Sequence, residues 1–179
     1  MIHSVSGKLI EKRDSFAVIE VLGVGIKLTS HRRALSSMPP VGSQVKLFSH
    51  LHVREDLLDL YGFPTEEELN FFELLISVSG VGPKSALSIL EISELKELAA
   101  AIHENRPDLL TRASGIGRKT AERIIIDLKN KVKADMSGEA VKRMESDADI
   151  AETLVTLGYR FTNTQATPVR GTAPPVERL

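Results

Sequence analysis

The first third of the chain consists of short runs in which apolar and polar residues alternate, the pattern of β-strands with one buried face. Residues 16–21 and 24–28 are two such runs, and the Leu22-Gly23 step between them predicts a hairpin. A longer run follows at residues 45–53, and residues 57–63 supply a last strand. We expect the buried face of the longer run to carry Val45, Leu47, Leu51 and Val53. About five short antiparallel strands within residues 1–63 predict a small β-barrel of the OB type.

After Pro64 the apolar positions recur with the period of a helix, so residues 64–133 are expected to form an all-α domain. The predicted capping or first residues of its helices include Thr65, Ser93, Pro107 and Arg118. The helix that begins at Arg118 runs to about residue 133, and its spacing predicts that it buries Ala121, Ile124, Ile125, Leu128 and Val132.

The remainder of the chain carries weaker patterns. Residues 134–146 are predicted to form a flexible linker, and a short amphipathic helix is predicted from Asp147 to Gly158. The tail from Phe161 is rich in Thr and Pro and is predicted to be disordered, so residues 147–179 form at most a partial C-terminal domain. The fold class is therefore multi-domain α+β, with a five-stranded OB-type barrel, an all-α domain and a short C-terminal helical segment.

Inside the predicted all-α domain, a segment of twelve residues occurs twice, and Gly80 of the first copy returns as Gly115 in the second. Residues 79–90 read S-G-V-G-P-K-S-A-L-S-I-L, and residues 114–125 read S-G-I-G-R-K-T-A-E-R-I-I. Both copies fit the pattern S-G-[VI]-G-x-K-[ST]-A followed by apolar residues at helical spacing. Such a repeat predicts the same local structure at two places in the domain.

The chemistry of this pattern suits a phosphate group. Two glycines on either side of one aliphatic residue permit a tight turn with positive φ, and they leave no side chain to block a ligand. The helix that follows directs its unpaired N–H groups and the positive end of its dipole toward the turn. Lys84 or Lys119 can add a formal positive charge. The pattern resembles the helix-hairpin-helix motif of proteins that bind the DNA backbone without reading bases.

Two structural alternatives compete with this interpretation. Ordinary helix–helix corners also contain glycine, although a repeat of Lys and Ser/Thr at matching offsets disfavours that explanation. A nucleotide-binding P-loop needs Gly directly before Lys and a buried strand before the loop. Here Arg118 separates Gly117 from Lys119, and residues 109–113 are too short and too polar for that strand.

Composition narrows the function further. The net charge is only −1, yet residues 106–133 hold eight Lys/Arg against three Asp/Glu, a local excess that predicts one basic face for DNA. Aromatic residues make up 4% with no Trp, which leaves little for stacking single-stranded bases or lining a base-flipping pocket. The absence of cysteine fits a reducing cytoplasm and excludes thiolate metal sites. No signal peptide and no apolar stretch long enough for a membrane are present, so a membrane partner is not expected.

The order of these parts resembles the RuvA family, the DNA-binding subunits of the bacterial machine that migrates Holliday junctions in recombinational repair. The likeness rests on the barrel, the tandem hairpins, the linker and the Leu157-Gly158-Tyr159 helix end, and also on Val53-Arg54-Glu55-Asp56 and Leu60-Tyr61-Gly62-Phe63. It covers residues 1 to about 160.

The resemblance implies a non-catalytic homotetramer that holds an open four-way junction, with one or two tetramers on each junction. It implies the RuvB motor as a partner and the RuvC resolvase as a further candidate. ATP and Mg²⁺ would serve the motor, while this chain itself would need no cofactor and no metal. The positions that match the family's phosphate-binding residues are Gly80, Val81, Gly82, Lys84, Ser85, Gly115, Ile116, Gly117, Arg118, Lys119, Thr120 and Arg123.

Glu55 and Asp56 match the acidic pins of the family, which crowd around the junction centre. Their carboxylates would repel phosphates and so keep strands apart at the crossover. From local sequence alone, a solvated polar turn beside Arg54 is the alternative. His50 and His52 share one face of a strand, but without a third ligand we expect them to be exposed polar residues rather than a metal pair.

The chain departs from the family pattern at its C-terminus. The family carries a three-helix module that holds the motor, and only the first helix of it is recognisable here, which places motor recruitment in doubt. The enzyme-class alternative is a helix-hairpin-helix DNA glycosylase, whose catalytic Asp would correspond to Asp135. A third alternative is an OB-fold protein that prefers single strands.

Overall fold

The computed structural model describes residues 2–132, 159–162 and 165–168. In chain order its elements are β1 (Ser4–Lys12), β2 (Phe16–Val21), β3 (Val24–Thr29), α1 (Arg32–Ser37), β4 (Gln44–Val53), β5 (Leu58–Phe63), α2 (Glu66–Ile76), α3 (Pro83–Ile92), α4 (Leu95–His103), α5 (Pro107–Leu110), α6 (residues 118–132), β6 (Tyr159–Thr162) and β7 (Gln165–Pro168). Strands β1–β5 and helices α1–α6 belong to one compact unit, and the β6–β7 pair belongs to a second. Among these described residues, no helix combines the length and the apolarity needed to cross a membrane.

Strands β1 to β5 close into a barrel in the order β1-β2-β3-β5-β4. The neighbouring pairs are antiparallel except β3 and β5, which run parallel at Thr29 and Tyr61. Closure leaves no free sheet edge, and the inward residues form the barrel core. Its most buried members include Leu9, Ala17, Ile19, Leu28 and Leu47. The predicted five-stranded OB-type barrel is confirmed.

The predicted β2–β3 hairpin is confirmed, with Val21 paired to Val24. Its turn residues Leu22 and Gly23 have φ of 51° and 83°, the left-handed pair that two-residue hairpins favour. In β4 the predicted alternation holds at Leu47, which is buried, but fails at Val53, whose side chain is 62% exposed. Val53 pairs with Leu58 at the tip of the β4–β5 hairpin, beyond the layer of residues that fill the barrel.

Helix α1 is an element that the sequence pattern does not predict. The residue before it is His31, whose ring Nδ1 accepts a hydrogen bond from the Ala34 N–H at 3.3 Å. Histidine is not among the residues that usually cap helices, and six residues are too few to show helical periodicity. Leu35 of α1 and Met38 directly after it nevertheless join the barrel core, so α1 packs against the barrel.

The helical part follows the predicted pattern with one shift. Thr65 caps α2 by accepting from the Glu68 N–H at 3.2 Å, and Pro107 begins α5, as predicted. The predicted cap Ser93 is wrong by one residue, because Glu94 precedes α4 and Ser93 ends α3. Helix α6 buries Ala121, Ile124, Ile125, Leu128 and Val132, as its spacing predicts.

Phe72 of α2 joins the helices to the barrel. Its ring centroid lies 4.8 Å from that of Phe63, 5.3 Å from Tyr61 and 5.6 Å from His50. Aromatic pairs at these separations are favourable beyond the area they bury. Helix α2 is therefore fixed against β4 and β5, and the hairpins that follow it in sequence are built on that support.

The β6–β7 pair corrects one expectation about the C-terminus. Tyr159–Thr162 pairs antiparallel with Gln165–Pro168, where the sequence predicts a disordered tail from Phe161. Two residues, one of them Asn163, separate the strands, and the first strand ends in the β-formers Phe161 and Thr162, so short-range hairpin signals outweigh the lack of longer periodicity. The predicted linker and the helix from Asp147 lie outside the described residues.

Candidate nucleic-acid interface

The repeated segments have the same backbone conformation at their first glycine. Gly80 has a φ of +90° and Gly115 a φ of +82°. This left-handed region is costly for residues with a Cβ and open to glycine. The requirement inferred from the sequence therefore holds at the equivalent position of both copies.

The hydrogen bonds of the two turns also repeat residue by residue. The Val81 N–H donates to the Val78 carbonyl at 3.0 Å, and the Ile116 N–H donates to the Ala113 carbonyl at 3.2 Å. At the start of the next helix, the Ala86 and Ala121 N–H groups donate to the Gly82 and Gly117 carbonyls, each at 2.9 Å. The sequence repeat is thus a repeat of structure, and each copy is a helix–turn–helix corner.

Each corner is anchored by its aliphatic residue. Val81 and Ile116 are only 6% exposed, and Ala86 and Ala121 are fully buried. Two of the predicted DNA-binding residues, Val81 and Ile116, therefore offer their main chain rather than their side chains to a ligand. Their burial holds the glycine turn against the protein while its outer surface faces solvent.

The outer surface of each corner is open. A Cβ built at Gly80, Gly82 or Gly117 would meet no described atom within 4 Å. Gly82 is the N-cap of α3 and makes no side-chain capping bond, so the first amides of that helix depend on solvent or a ligand for their partners. An anion placed there would face main-chain donors and the positive end of the helix dipole.

The two corners also touch each other. The Ser85 Oγ would lie 2.9 Å from a Cβ at Gly115, and the Arg123 guanidinium Nη1 donates to the Ser79 carbonyl at 3.2 Å. The helix of each copy thus contacts the turn of the other. Residues of the two predicted binding segments therefore belong to one continuous surface.

Basic side chains surround this surface. Lys84 and Lys119 are exposed, while Ser85 and Thr120 at the next positions are half-buried. Arg118 is 84% exposed and pairs with Glu122 one turn along α6 at 3.1 Å. An exposed pair of this kind contributes little to stability, so Arg118 can exchange Glu122 for a phosphate at small cost.

The predicted acidic residues form the tip of the β4–β5 hairpin. The Arg54 N–H donates to the Leu57 carbonyl at 2.9 Å, which closes the turn and leaves Glu55 and Asp56 as its two exposed loop residues. The exposed apolar residues Val53 and Leu58 flank them, the latter 71% exposed. Sequence periodicity does not predict these exposed apolar residues at the tip, because it assigns Val53 to the buried face.

The remaining candidate sites are the His50–His52 pair and Asp135. His50 is not an exposed polar residue as expected: its side chain is mostly buried, and its Nδ1 lies 2.9 Å from the Glu73 Oε1 in α2. The sequence gives no sign of this partner, since 23 positions separate the two residues. Within the described ranges, no group of three His, Cys, Asp or Glu could hold a metal ion. Asp135, the glycosylase candidate, lies outside the described residues.

Family models match both the barrel and the helices that follow it. Residues 1–62 match the RuvA N terminal domain, and residues 72–130 match the SAM-like helix-hairpin-helix tandem. A protein of Acetivibrio thermocellus is 40% identical over 169 residues, which cover 89% of this chain and 84% of the relative. Relatives from Dehalococcoides mccartyi (42%, covering 89% and 82%) and Chlorobium phaeobacteroides (43%, covering 86% and 80%) are similarly close. Each of these relatives is named Holliday junction branch migration complex subunit RuvA.

Proposed function

The chain belongs to the RuvA family, and from that premise we propose that it binds four-way DNA junctions through contacts to the phosphate backbone. The observation that carries the proposal is the pair of adjoining glycine corners, Gly80–Gly82 and Gly115–Gly117, each of which opens a helix. Main-chain amides and lysines bind phosphate oxygens in DNA of any base sequence. A branch point that migrates needs this kind of contact, because the bases at the crossover change with every step.

The chain acts as the non-catalytic subunit of a branch-migration complex. Its relatives are named as subunits of such a complex, and the resemblance assigns ATP hydrolysis to the RuvB motor. The residues that would contact DNA are Gly80, Val81, Gly82, Lys84, Ser85, Gly115, Ile116, Gly117, Arg118, Lys119, Thr120 and Arg123. A homotetramer would present four copies of this surface, one pair of hairpins for each arm, and RuvC is a further candidate partner.

The decisive experiment compares a four-way junction with linear duplex of equal arm length. Gel shifts are run across protein concentrations with unlabelled competitor duplex in excess. We expect a labelled junction to stay bound under these conditions and a labelled duplex to be released. Multi-angle light scattering on the same samples gives the number of chains bound to each junction. Equal competition by linear and branched DNA would contradict the proposal, and a preference for single strands would instead favour an OB-fold single-strand protein.

A further inference from the structure

Three consecutive residues at the start of α1 connect the barrel to two different helices. The His31 Nε2 lies 3.1 Å from the Glu68 Oε2 of α2, and the Arg32 main-chain N–H donates to the Glu91 Oε1 of α3 at 2.8 Å. The Arg33 Nη2 donates to the Leu90 carbonyl at 2.8 Å and the Ser93 carbonyl at 2.5 Å. We call residues 31–33 the α1 bracket.

The bracket has a firm base in the barrel. Its His31 ring is fully buried, and because Nδ1 accepts the Ala34 N–H, Nε2 carries the proton that is donated to Glu68. Both ring nitrogens are thus committed. One turn further along α1, Leu35 packs into the barrel core. Movement of α3 relative to the barrel must therefore break contacts with a segment that is itself immobilised.

Arg33 acts at the end of α3 that is remote from the proposed DNA surface. The last carbonyls of a helix have no intrahelical partner and form the negative end of its dipole. A guanidinium at this end donates hydrogen bonds to the carbonyls and places a positive charge against the dipole. The other end of α3 is the Gly82–Ser85 corner. A ten-residue helix is a rod of about 15 Å, so a displacement of its far end changes the direction in which that corner points.

The second corner contacts the first. Among the residues that the structure describes, side-chain hydrogen bonds from the barrel and α1 reach α2 and α3 but not α6. Two contacts join the corners directly, that of Arg123 with the Ser79 carbonyl and that of Ser85 with Gly115, and the buried apolar face of α6 packs into the same domain. The bracket therefore acts together with the α2–barrel contacts to set the orientation of both corners relative to the barrel and its acidic turn.

We propose that Arg33 is a positioning residue for junction recognition: it fixes the paired DNA-binding corners at one orientation to the Glu55–Asp56 turn of the barrel. The inference rests on the proposed function. Linear duplex needs only the corners, whereas a branch point presents DNA to the corners and the barrel turn together. Loss of Arg33 therefore lowers the preference for junction over duplex and leaves duplex binding intact.

The test measures dissociation constants for junction and duplex, and the salt dependence of duplex binding, with full-length Arg33→Ala and Arg32→Ala. The two substitutions remove the same charge from neighbouring positions, but Arg32 is exposed and its contact to Glu91 uses only the main chain. We expect Arg33→Ala to lower the junction-to-duplex preference about tenfold, the scale of one charged hydrogen bond, with an unchanged duplex salt slope. Arg32→Ala keeps the preference, and Arg33→Lys restores part of it.

Three results would overturn the inference: an unchanged preference in Arg33→Ala, an equal loss in Arg32→Ala, or a parallel loss of junction and duplex binding. The last is what a simple loss of folded protein produces, and thermal unfolding of each variant identifies it. The proposed function fails separately, since it requires the unsubstituted protein to prefer the junction. A wild type with that preference and an Arg33→Ala variant that keeps it would reject the bracket alone.

Discussion

Gly115 faces Ser85 so closely that a Cβ at Gly115 would lie 2.9 Å from the Ser85 Oγ. Gly115 opens the second corner, and Ser85 lies in the first turn of the helix that follows the first corner. The absence of a side chain at Gly115 thus serves two purposes, since it permits a φ of +82° and admits the neighbouring helix. Two segments 35 positions apart in sequence become one surface by this contact.

Substitution at the two equivalent glycines separates these purposes. Gly80→Ala introduces backbone strain alone, because its Cβ would meet nothing within 4 Å, whereas Gly115→Ala adds the contact with Ser85. We expect the free energy of unfolding to fall by about 1–2 kcal/mol in Gly80→Ala and further in Gly115→Ala, as measured by urea denaturation. Equal losses would show that the Ser85 hydroxyl turns away from the new methyl group at little cost.

The second glycine of each corner tests the approach of the ligand. Gly82 has an ordinary φ of −93°, and a Cβ at Gly82 or Gly117 would project into open space. The double variant Gly82→Ala, Gly117→Ala is expected to lose at most about 1 kcal/mol of stability for each N-cap. Duplex and junction binding should weaken strongly, because the new methyl groups occupy the space of a phosphate. Full binding by a folded variant would place the phosphates elsewhere.

The hairpin corners could be predicted from sequence because their determinants are local. A glycine at a positive-φ position, a buried aliphatic residue and a helix start all lie within a few residues, and the repeat doubles the signal. The barrel was accessible for the same reason, through alternation and the Leu22-Gly23 turn. The exposure of Val53 was not predicted, because alternation indicates which face of a strand a residue lies on and not where the strand extends beyond the core.

Contacts across long separations left no such pattern. His50 contacts Glu73, 23 positions away, and Arg33 contacts the Leu90 carbonyl, 57 positions away. In the sequence, His50 and Arg33 are polar residues of the kind that usually lie on a solvated surface. The short helix α1 and its His31 cap were missed together, since the cap depends on a histidine tautomer fixed by Glu68 of another helix. Tertiary structure therefore determines the positioning elements of this protein more than local propensity does.

Lysine substitution measures the number of phosphate contacts. Lys84→Ala with Lys119→Ala removes two exposed charges beside the corners. If each lysine contacts one phosphate, the slope of log affinity against log salt becomes shallower by about 1.8 for duplex. Affinity should fall to the same extent on DNA of any sequence, as checked with a panel of duplexes and junctions. An unchanged slope would remove these lysines from the interface, and a sequence-dependent loss would indicate base contacts.

Tyr61 predicts a loss of stability at alkaline pH. Burial, assisted by the charge of Asp59 and the hydrogen bond to it, raises the pKa of Tyr61 from 10.0 to about 12. The unfolded chain therefore releases this proton first, so the contribution of Tyr61 is complete below pH 10 and is lost between pH 10 and 12. Urea unfolding across this range should show a decline of about 2–3 kcal/mol that Tyr61→Phe lacks. Parallel declines in the two proteins would assign the effect to other groups.

Neutralising the acidic turn tests whether it repels DNA. Glu55→Gln with Asp56→Asn removes two exposed carboxylates from the β4–β5 tip without touching the Arg54–Leu57 closing bond. Because the two carboxylates no longer repel the phosphates, we expect junction affinity to rise about two- to tenfold at low salt. A fluorescent base at the crossover should report less unpairing of the DNA. Asp14→Asn with Glu104→Gln, two exposed acids outside this turn, makes the same change in net charge and should leave the fluorescence unchanged. Weaker junction binding by the first variant would mean that these carboxylates support the complex instead of keeping strands apart.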